Sequence, residues 1–314
     1  MTRLYDTSPA LAEIVGIRHG YFGRQGGVSS TPFDSLNVSE TAGDGRENVV
    51  ENRTRAAATL GYAPSQLASL RQTHSNRVIT LSKTQPAGER PAADALVTNV
   101  PGLLLGILTA DCTPVLLTDP VAKIIGAAHA GWKGATDGII ANSVAAMAAL
   151  GAIPARIVAA IGPTISQANY EVGPQFMADF LALHPDGEEF FITPRNGREH
   201  FDLPGFVASQ LSACGVGTIQ DLALCTYGAP ERYFSHRFAT HAGQTTGRQI
   251  ALIGLEKVSL RPIVTLRLQP TQYRALPRNW RGRLSRPDLI TGSCNEAGDR
   301  QFQSCPGSGC RQLS

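Results

Sequence analysis

The sequence predicts one large mixed α/β (α+β) domain over residues 1–260, with an appended tail over residues 261–314. Three observations carry this reading. Short runs rich in Leu, Ile and Val alternate with segments of helical periodicity, without the strict strand–helix–strand rhythm of a doubly wound sheet. Apolar residues make up 42% and charged residues 17% of 314 positions. That composition is globular, and a chain of this length buries a core without needing disulfides. Beyond Leu268 the apolar periodicity fades and Arg, Pro, Gly and Ser take over, as in a poorly ordered extension.

The elements follow in order. Arg18–Ser30, RHGYFGRQGGVSS, reads as a strand running into a glycine-rich loop. Arg46–Leu60 carries Val49, Ala56 and Leu60 at helical spacing, with Asp44 upstream as a cap. Leu103–Thr109, Val115–Thr118 and Lys123–Ala128 are expected to be short buried strands. His129 then falls where a strand gives way to a helix. That helix has Asp137 in its first turn, Ile140, Val144 and Met147 on one face, and Gly151 at its end. Arg156–Ile161 reads as strand, Phe206–Cys214 as helix, Ile219–Thr226 as strand and Arg248–Val258 as the last helix.

Charge and hydropathy exclude several classes. The net charge of +3 hides an uneven split. The tail from Arg261 has nine Arg and three acids; the other 260 residues carry 19 basic and 22 acidic groups. The body is slightly acidic, so no nucleic-acid partner is expected, and the basic tail is read as a solvated segment. No apolar run of membrane-spanning length exists and the N-terminus lacks an apolar signal core, so a cytoplasmic protein is expected. Cys112, Cys214 and Cys225 lie in the body at irregular spacing, and Cys294, Cys305 and Cys310 in the tail. This suits reduced thiols.

Three local signatures draw attention: Gln72-Thr-His74-Ser, Thr109-Ala-Asp111-Cys112-Thr-Pro114 and Ala128-His129-Ala-Gly-Trp132-Lys133-Gly. Two imidazoles and a thiolate suit zinc, and three protein ligands leave a fourth position open, as in catalytic sites. The gaps of 38 and 17 residues are too long for a zinc finger, so tertiary folding must assemble the set. The same residues admit a Cys112 nucleophile activated by His74 or His129, or a His₂Cys copper centre. The H-x-E motif of zinc deaminases is absent at both histidines.

From His19 to Leu255, about three quarters of the chain, the sequence resembles the YfiH family, also called peptidoglycan-editing-factor or laccase-domain proteins. The matching segments run in order: HGYFGRQGGVSS, SLN, ENR, QTHS, ADALVT, PGLLLGILTADCTPVLL, HAGWKG, IGPTIS, YEVG, CTY, FSHR and TGR. The resemblance implies an αββα-like sandwich of sheets flanked by helices, with zinc (Zn2+) held by His74, Cys112 and His129. It also implies a purine nucleoside phosphorylase acting on adenosine, inosine and methylthioadenosine with phosphate, with adenosine deaminase activity beside it. Ser75 replaces a common Gly, Lys133 a common Arg and Phe238 a usual second Arg.

Phosphorolysis requires phosphate held by cationic forks and backbone N–H groups beside the anomeric carbon. Arg24 and Lys133 are the first candidates, with Arg53, Arg237 and Arg248 behind them. Asn37 is a candidate for ribose or base, and Trp132 for stacking on the purine. For deamination, in which zinc would turn a bound water into the attacking hydroxide, Asp111 or Asp94 is the expected proton carrier, provided its carboxylate faces the metal. Three other readings stand beside this one. They are a cysteine hydrolase or amidase acting on cell-wall peptides through Cys112, a copper-dependent polyphenol oxidase, and a metal-stabilised scaffold without turnover.

Overall fold

Along Thr113–Asp119 the side chains alternate between two apolar clusters rather than between core and water. Val115 and Leu117 join one cluster and Leu116 the other. A strand buried on both faces needs a layer on each side. The computed structural model supplies them, describing residues 4–85, 90–194 and 197–257. The expectations for the tail, including Cys294, Cys305 and Cys310, lie outside the described residues.

In chain order the elements are β1 (Tyr5–Asp6), α1 (Pro9–Ala12), β2 (Ile17–Phe22), α2 (Arg46–Thr59), β3 (Leu67–Ser69), β4 (Val78–Leu81), β5 (Ala95–Thr98), β6 (Leu104–Thr109), β7 (Thr113–Asp119), β8 (Ile124–Ala130), α3 (Trp132–Thr136), α4 (Ile139–Ala149), β9 (Val158–Ile161), α5 (Pro174–Leu183), β10 (Phe191–Ile192), β11 (His200–Phe201), α6 (Leu203–Ala213), β12 (Thr218–Asp221), α7 (His236–His241) and β13 (Gln249–Leu255). They form a five-stranded sheet in the order β1-β2-β13-β6-β3, a six-stranded sheet in the order β12-β9-β7-β8-β5-β4, and the small pair β10-β11.

The two large sheets face each other. Tyr21, Leu105, Ile107, Ala251 and Ile253 from the first meet Leu96, Leu116, Ile125, Ala127 and Ala160 from the second. The Tyr21 hydroxyl donates to the Ala160 carbonyl across this layer at 2.7 Å, which satisfies a fully buried phenol. Its ring lies so close to Gly162 that a Cβ there would sit 2.1 Å away, so no larger residue fits. Outside the first sheet, Ala56 and Ala57 of α2 cover Phe22, Leu104, Ile250 and Leu252. Outside the second, α4, α5 and α6 lay Val144, Met147, Phe180, Phe206 and Leu211 on Val97, Val115, Leu117 and Ala128. The layers therefore run α–β–β–α, the mixed α/β sandwich expected. Among the described residues, no helix is long and apolar enough to cross a membrane.

Several local expectations change. Residues 248–258, expected as helix, contain β13, the central strand of the five-stranded sheet. Ile250 and Leu252 face one apolar cluster and Ala251 and Ile253 the other, so the run carries no polar alternation. Periodicity cannot tell such a strand from a buried helix. Gly45, not Asp44, stands at the N-cap of α2. Asp44 accepts instead from the Gly45 N–H at 2.7 Å and from Asn37, Asn48 and Ser29. The helix after His129 is broken at Gly138, whose φ is +91°, so Asp137 closes α3 rather than opening α4. The strand expected over 219–226 ends at Asp221.

His19 lies on β2, and its Nε2 accepts the Ser8 N–H at 2.8 Å. Burial pulls its pKa from 6.5 to about 4. Its folded value lies below its unfolded one, so the unfolded chain binds the extra proton and stability falls as pH drops through this window. We expect a loss of about 2 kcal/mol between pH 6.5 and 5. Denaturant unfolding at both pH values checks this; His19→Gln, which keeps an acceptor but does not titrate, should flatten the slope.

Candidate active site

The chain crosses between the two sheets where β6 ends and β7 begins. Ala110, Asp111 and Cys112 make that crossing, and Asp111 takes φ +87°, a left-handed conformation that Asp tolerates better than most residues. The turn is held from several sides. The Asp111 carbonyl accepts from Ile165 N–H at 3.0 Å and the Thr164 hydroxyl at 2.8 Å. Its carboxylate accepts from the Thr226 hydroxyl and from the Arg237 N–H at the start of α7, both at 2.6 Å. Cys112 is thereby delivered to the start of β7, beside β8, where Pro114 pairs with His129.

Asp94 organises the other two signature residues. Its carbonyl accepts the His129 N–H at 2.8 Å, and its carboxylate lies 2.9 Å from His129 Nδ1. The same carboxylate accepts the backbone N–H groups of Thr73, His74 and Ser75 at 3.2, 3.0 and 2.7 Å, and the Ser75 hydroxyl at 2.7 Å. Asp94 is fully buried. Burial works to raise its pKa, but the bonds from His129 and Ser75 outweigh it and hold the group well below the usual carboxylate range. His74 is carried on this pinned loop with φ +57°.

The result is a compact trio. The ligand atoms of His74, Cys112 and His129 lie within 4.8 Å of one another. Cys112 Sγ is 3.8 Å from His74 Nε2, and the two imidazoles meet edge-on with centroids 4.9 Å apart. Sulfur and nitrogen on one tetrahedral zinc stand about 3.6 Å apart, so the donor set fits that ion. Burial would raise the Cys112 thiol, but the imidazoles of His129 and His74 outweigh it and lower the thiol's pKa. His129 is correspondingly raised by Cys112 and Asp94 against its own burial. With Nδ1 engaged by Asp94, Nε2 of His129 is left for a ligand role.

A Cβ on Gly131 would lie 2.6 Å from His74 Cδ2 and 3.1 Å from Cys112 Sγ. The HAG-W segment thus needs glycine because the cradle has no room for a methyl. Gly131→Ala should lower metal occupancy about 10-fold or more, since displacing ligand orientation alone costs that much. Metal analysis after dialysis checks it.

The trio forms one wall of a cleft of about 690 Å³ that also contains Arg53, Arg71, Arg90 and Arg248. This is the ordinary size of a small-molecule site. Arg53 donates to the Val38 carbonyl at 2.8 Å; burial, with Arg90 nearby, lowers its pKa to about 10 against the pull of Glu40. Arg90 pairs with Glu40. The Arg248 N–H donates to Asn37 Oδ1 at 2.9 Å, and its Nη1 to the Gly247 carbonyl at 2.9 Å.

Of the residues singled out in the sequence, Arg53 and Arg248 join the trio in the cleft. Asn37 is buried behind it, bonded to Ser39, Asp44 and Arg248. Arg24 lies elsewhere, donating to the Asp34 and Pro230 carbonyls in a separate hollow. Lys133 is exposed over the Trp132 ring, and Trp132 itself packs on Phe176 in the helical layer. The Arg237 guanidinium lies over Tyr170 and donates to the Glu171 carbonyl at 2.8 Å. Asp94 and Asp111 stand behind the trio with their carboxylates bonded as described. The cleft is also lined by Glu40, Arg71, Gln72, Arg90 and His236, to none of which the sequence alone assigned a role. Arg71 and Gln72 directly precede Thr73-His74, and His236 sits in the FSHR segment, so those two segments did hold a local signal.

Residues 18–256 match the family described as multi-copper polyphenol oxidoreductase laccase. A purine nucleoside phosphorylase of Deinococcus radiodurans is 43% identical over 255 residues, spanning 80% of this chain and 96% of that protein. Among solved structures, YlmD from Geobacillus stearothermophilus superposes with a TM-score of 0.74 at 31% identity, over 82% of this chain and 98% of YlmD. YfiH from Bacillus licheniformis gives 0.73 at 30% identity, over 81% of this chain and all of that one. With the same sandwich, the same extent and this degree of identity, the chain belongs to the YfiH family of laccase-like domains.

Proposed function

We propose that the chain is a zinc-dependent purine nucleoside phosphorylase. It converts adenosine, inosine or methylthioadenosine and phosphate to the free base and the pentose-1-phosphate, with deamination of adenosine as a second activity. The observation that carries this is one cleft holding both a His₂Cys donor set and four arginines. Relatives named purine nucleoside phosphorylase share most of the chain.

His74, Cys112 and His129 would hold the metal, which supplies Lewis-acid polarisation of an oxygen ligand. Zinc is favoured over a blue-copper centre because no described methionine neighbours the trio. Met147 and Met177 lie in the helical layer, far from the axial role that copper asks for. Asp94 fixes the tautomer of His129 and the loop bearing His74, and Asp111 fixes the turn bearing Cys112. Both act as positioning groups, because their carboxylate oxygens are taken up by protein donors. The arginine forks hold phosphate, and Glu40 sets the place of Arg90.

The test is chromatographic turnover of adenosine by metal-loaded protein with and without phosphate. Adenine and ribose-1-phosphate formed only with phosphate support the reading. Inosine formed without phosphate supports the deaminase activity. No product in either case from folded, metal-loaded protein overturns it. The lowered Cys112 thiol beside His129 favours one competitor, a cysteine hydrolase. That enzyme would keep its activity under chelation, whereas the phosphorylase would lose it.

A further inference from the structure

Phosphorolysis of a purine nucleoside leaves the base with the electron pair of the broken glycosidic bond, and a neutral leaving base needs a proton. Few groups lining the cleft can give one. His74, Cys112 and His129 are the metal-ligand set. Glu40 is tied to Arg90 and lies 4.0 Å from Arg53. Guanidinium groups stay protonated and do not transfer protons near neutrality. Gln72 spends its amide on Leu108, accepting its N–H at 2.8 Å and donating to its carbonyl at 2.7 Å. His236 remains. It lines the cleft, it is exposed, and its ring makes no hydrogen bond to any described residue.

Its backbone, by contrast, is tightly fixed. His236 opens α7. The Ser235 hydroxyl accepts the Phe238 N–H at 3.1 Å, and the Asp111 carboxylate accepts the Arg237 N–H at 2.6 Å. Two residues upstream, the Phe234 N–H donates to Gln249 Oε1 at 2.7 Å, beside Arg248. The imidazole is thus a free ring on a rigid mount. That mount is joined to the turn that delivers Cys112 and to the strand that delivers Arg248. Imidazole is also the side chain best suited to proton transfer near neutral pH.

We propose that His236 is the catalytic acid that protonates N7 of the departing purine, an inference that rests on the phosphorylase reading. A phosphate oxygen forms the bond to C1′ as the C1′–N9 bond breaks. The bonding pair leaves on the purine, and N7 takes the proton of the His236 imidazolium. Hydrogen phosphate loses its own proton as it becomes the monoester dianion, and that proton restores the imidazolium.

The experiment compares inosine with 7-methylinosine, whose N7 is already alkylated and cationic, in wild-type, His236→Gln and His236→Ala protein. Metal content should be unchanged in both variants. For inosine, kcat should fall about 10²- to 10⁴-fold, while for 7-methylinosine it should fall less than about threefold. Equal falls for the two substrates, or none for either, overturn the assignment and leave the phosphorylase reading standing. Wild-type protein that releases no free base in the presence of phosphate overturns the phosphorylase reading itself, and this inference with it.

Discussion

His74→Ala should remove the metal and the phosphorolytic activity together, if His74 is one of the three ligands proposed above. Two protein ligands remain, one of them a thiolate that has lost an imidazole neighbour at 3.8 Å. Altering a group that merely orients a ligand costs about 10- to 100-fold in affinity, so losing a ligand outright should cost more than about 100-fold. The fold should hardly notice. His74 is exposed, and its contact with Asp94 is made by the backbone N–H, which alanine keeps. Unfolding measured without metal should therefore change by less than about 1 kcal/mol. Metal analysis after dialysis, paired with adenosine turnover, gives the answer. A His74→Ala protein that keeps one equivalent of metal removes His74 from the ligand set.

Asp94→Ala should damage stability and site at once. Six donors lose their acceptor: three consecutive N–H groups, the hydroxyls of Thr73 and Ser75, and the His129 imidazole. Leaving such a cluster unpaired in a buried place costs about 3–5 kcal/mol. Metal affinity should fall about 10- to 100-fold because His129 loses its orientation. The isosteric Asp94→Asn should recover little, since its amide NH₂ would face donors. The Asp94 carboxylate has a depressed pKa, so its contribution is complete above its unfolded value and lost only as pH falls through the folded one. The carboxylate's own share of the defect should therefore be the same at pH 6 and pH 8, whereas the share carried by His129, whose pKa Asp94 helps to raise, should be larger at pH 6. Denaturant midpoints at those pH values, with metal titrations, measure both effects. An Asp94→Ala protein of wild-type stability and affinity would show that the loop and His129 hold themselves.

How much of this was legible in the sequence differs from part to part. β7 and β8 could be read because turns bound their apolar runs. The ligand trio could be read because each member sits in its own short signature and the signatures occur together. β13 could not, because a strand covered on both faces has the composition of a buried helix. The cleft arginines were only half legible. Arg53 and Arg248 reach the site from α2 and the start of β13, while Arg24 and Arg237, equally basic in sequence, are tied to nearby carbonyls. Which of many cations faces a cleft is decided by the path of the backbone, and no local pattern records it. The same holds for Asp94. Its partners at residues 73–75 and 129 lie about 20 and 35 positions away, so its bonds appear only once the sheets close.

The position of β13 also orders events during synthesis. It pairs with β2 on one side and β6 on the other, yet it comes last of the described strands. A nascent chain that has not reached Gln249 has a gap in the middle of its first sheet, flanked by two bare strand edges and by apolar faces awaiting Ile250 to Ile253. Such edges invite pairing with other chains. Arg248 arrives with the same strand, so the polypeptide completes its cleft and closes this gap in a single late step. A premature stop upstream of Gln249 would release an aggregation hazard rather than a weak enzyme.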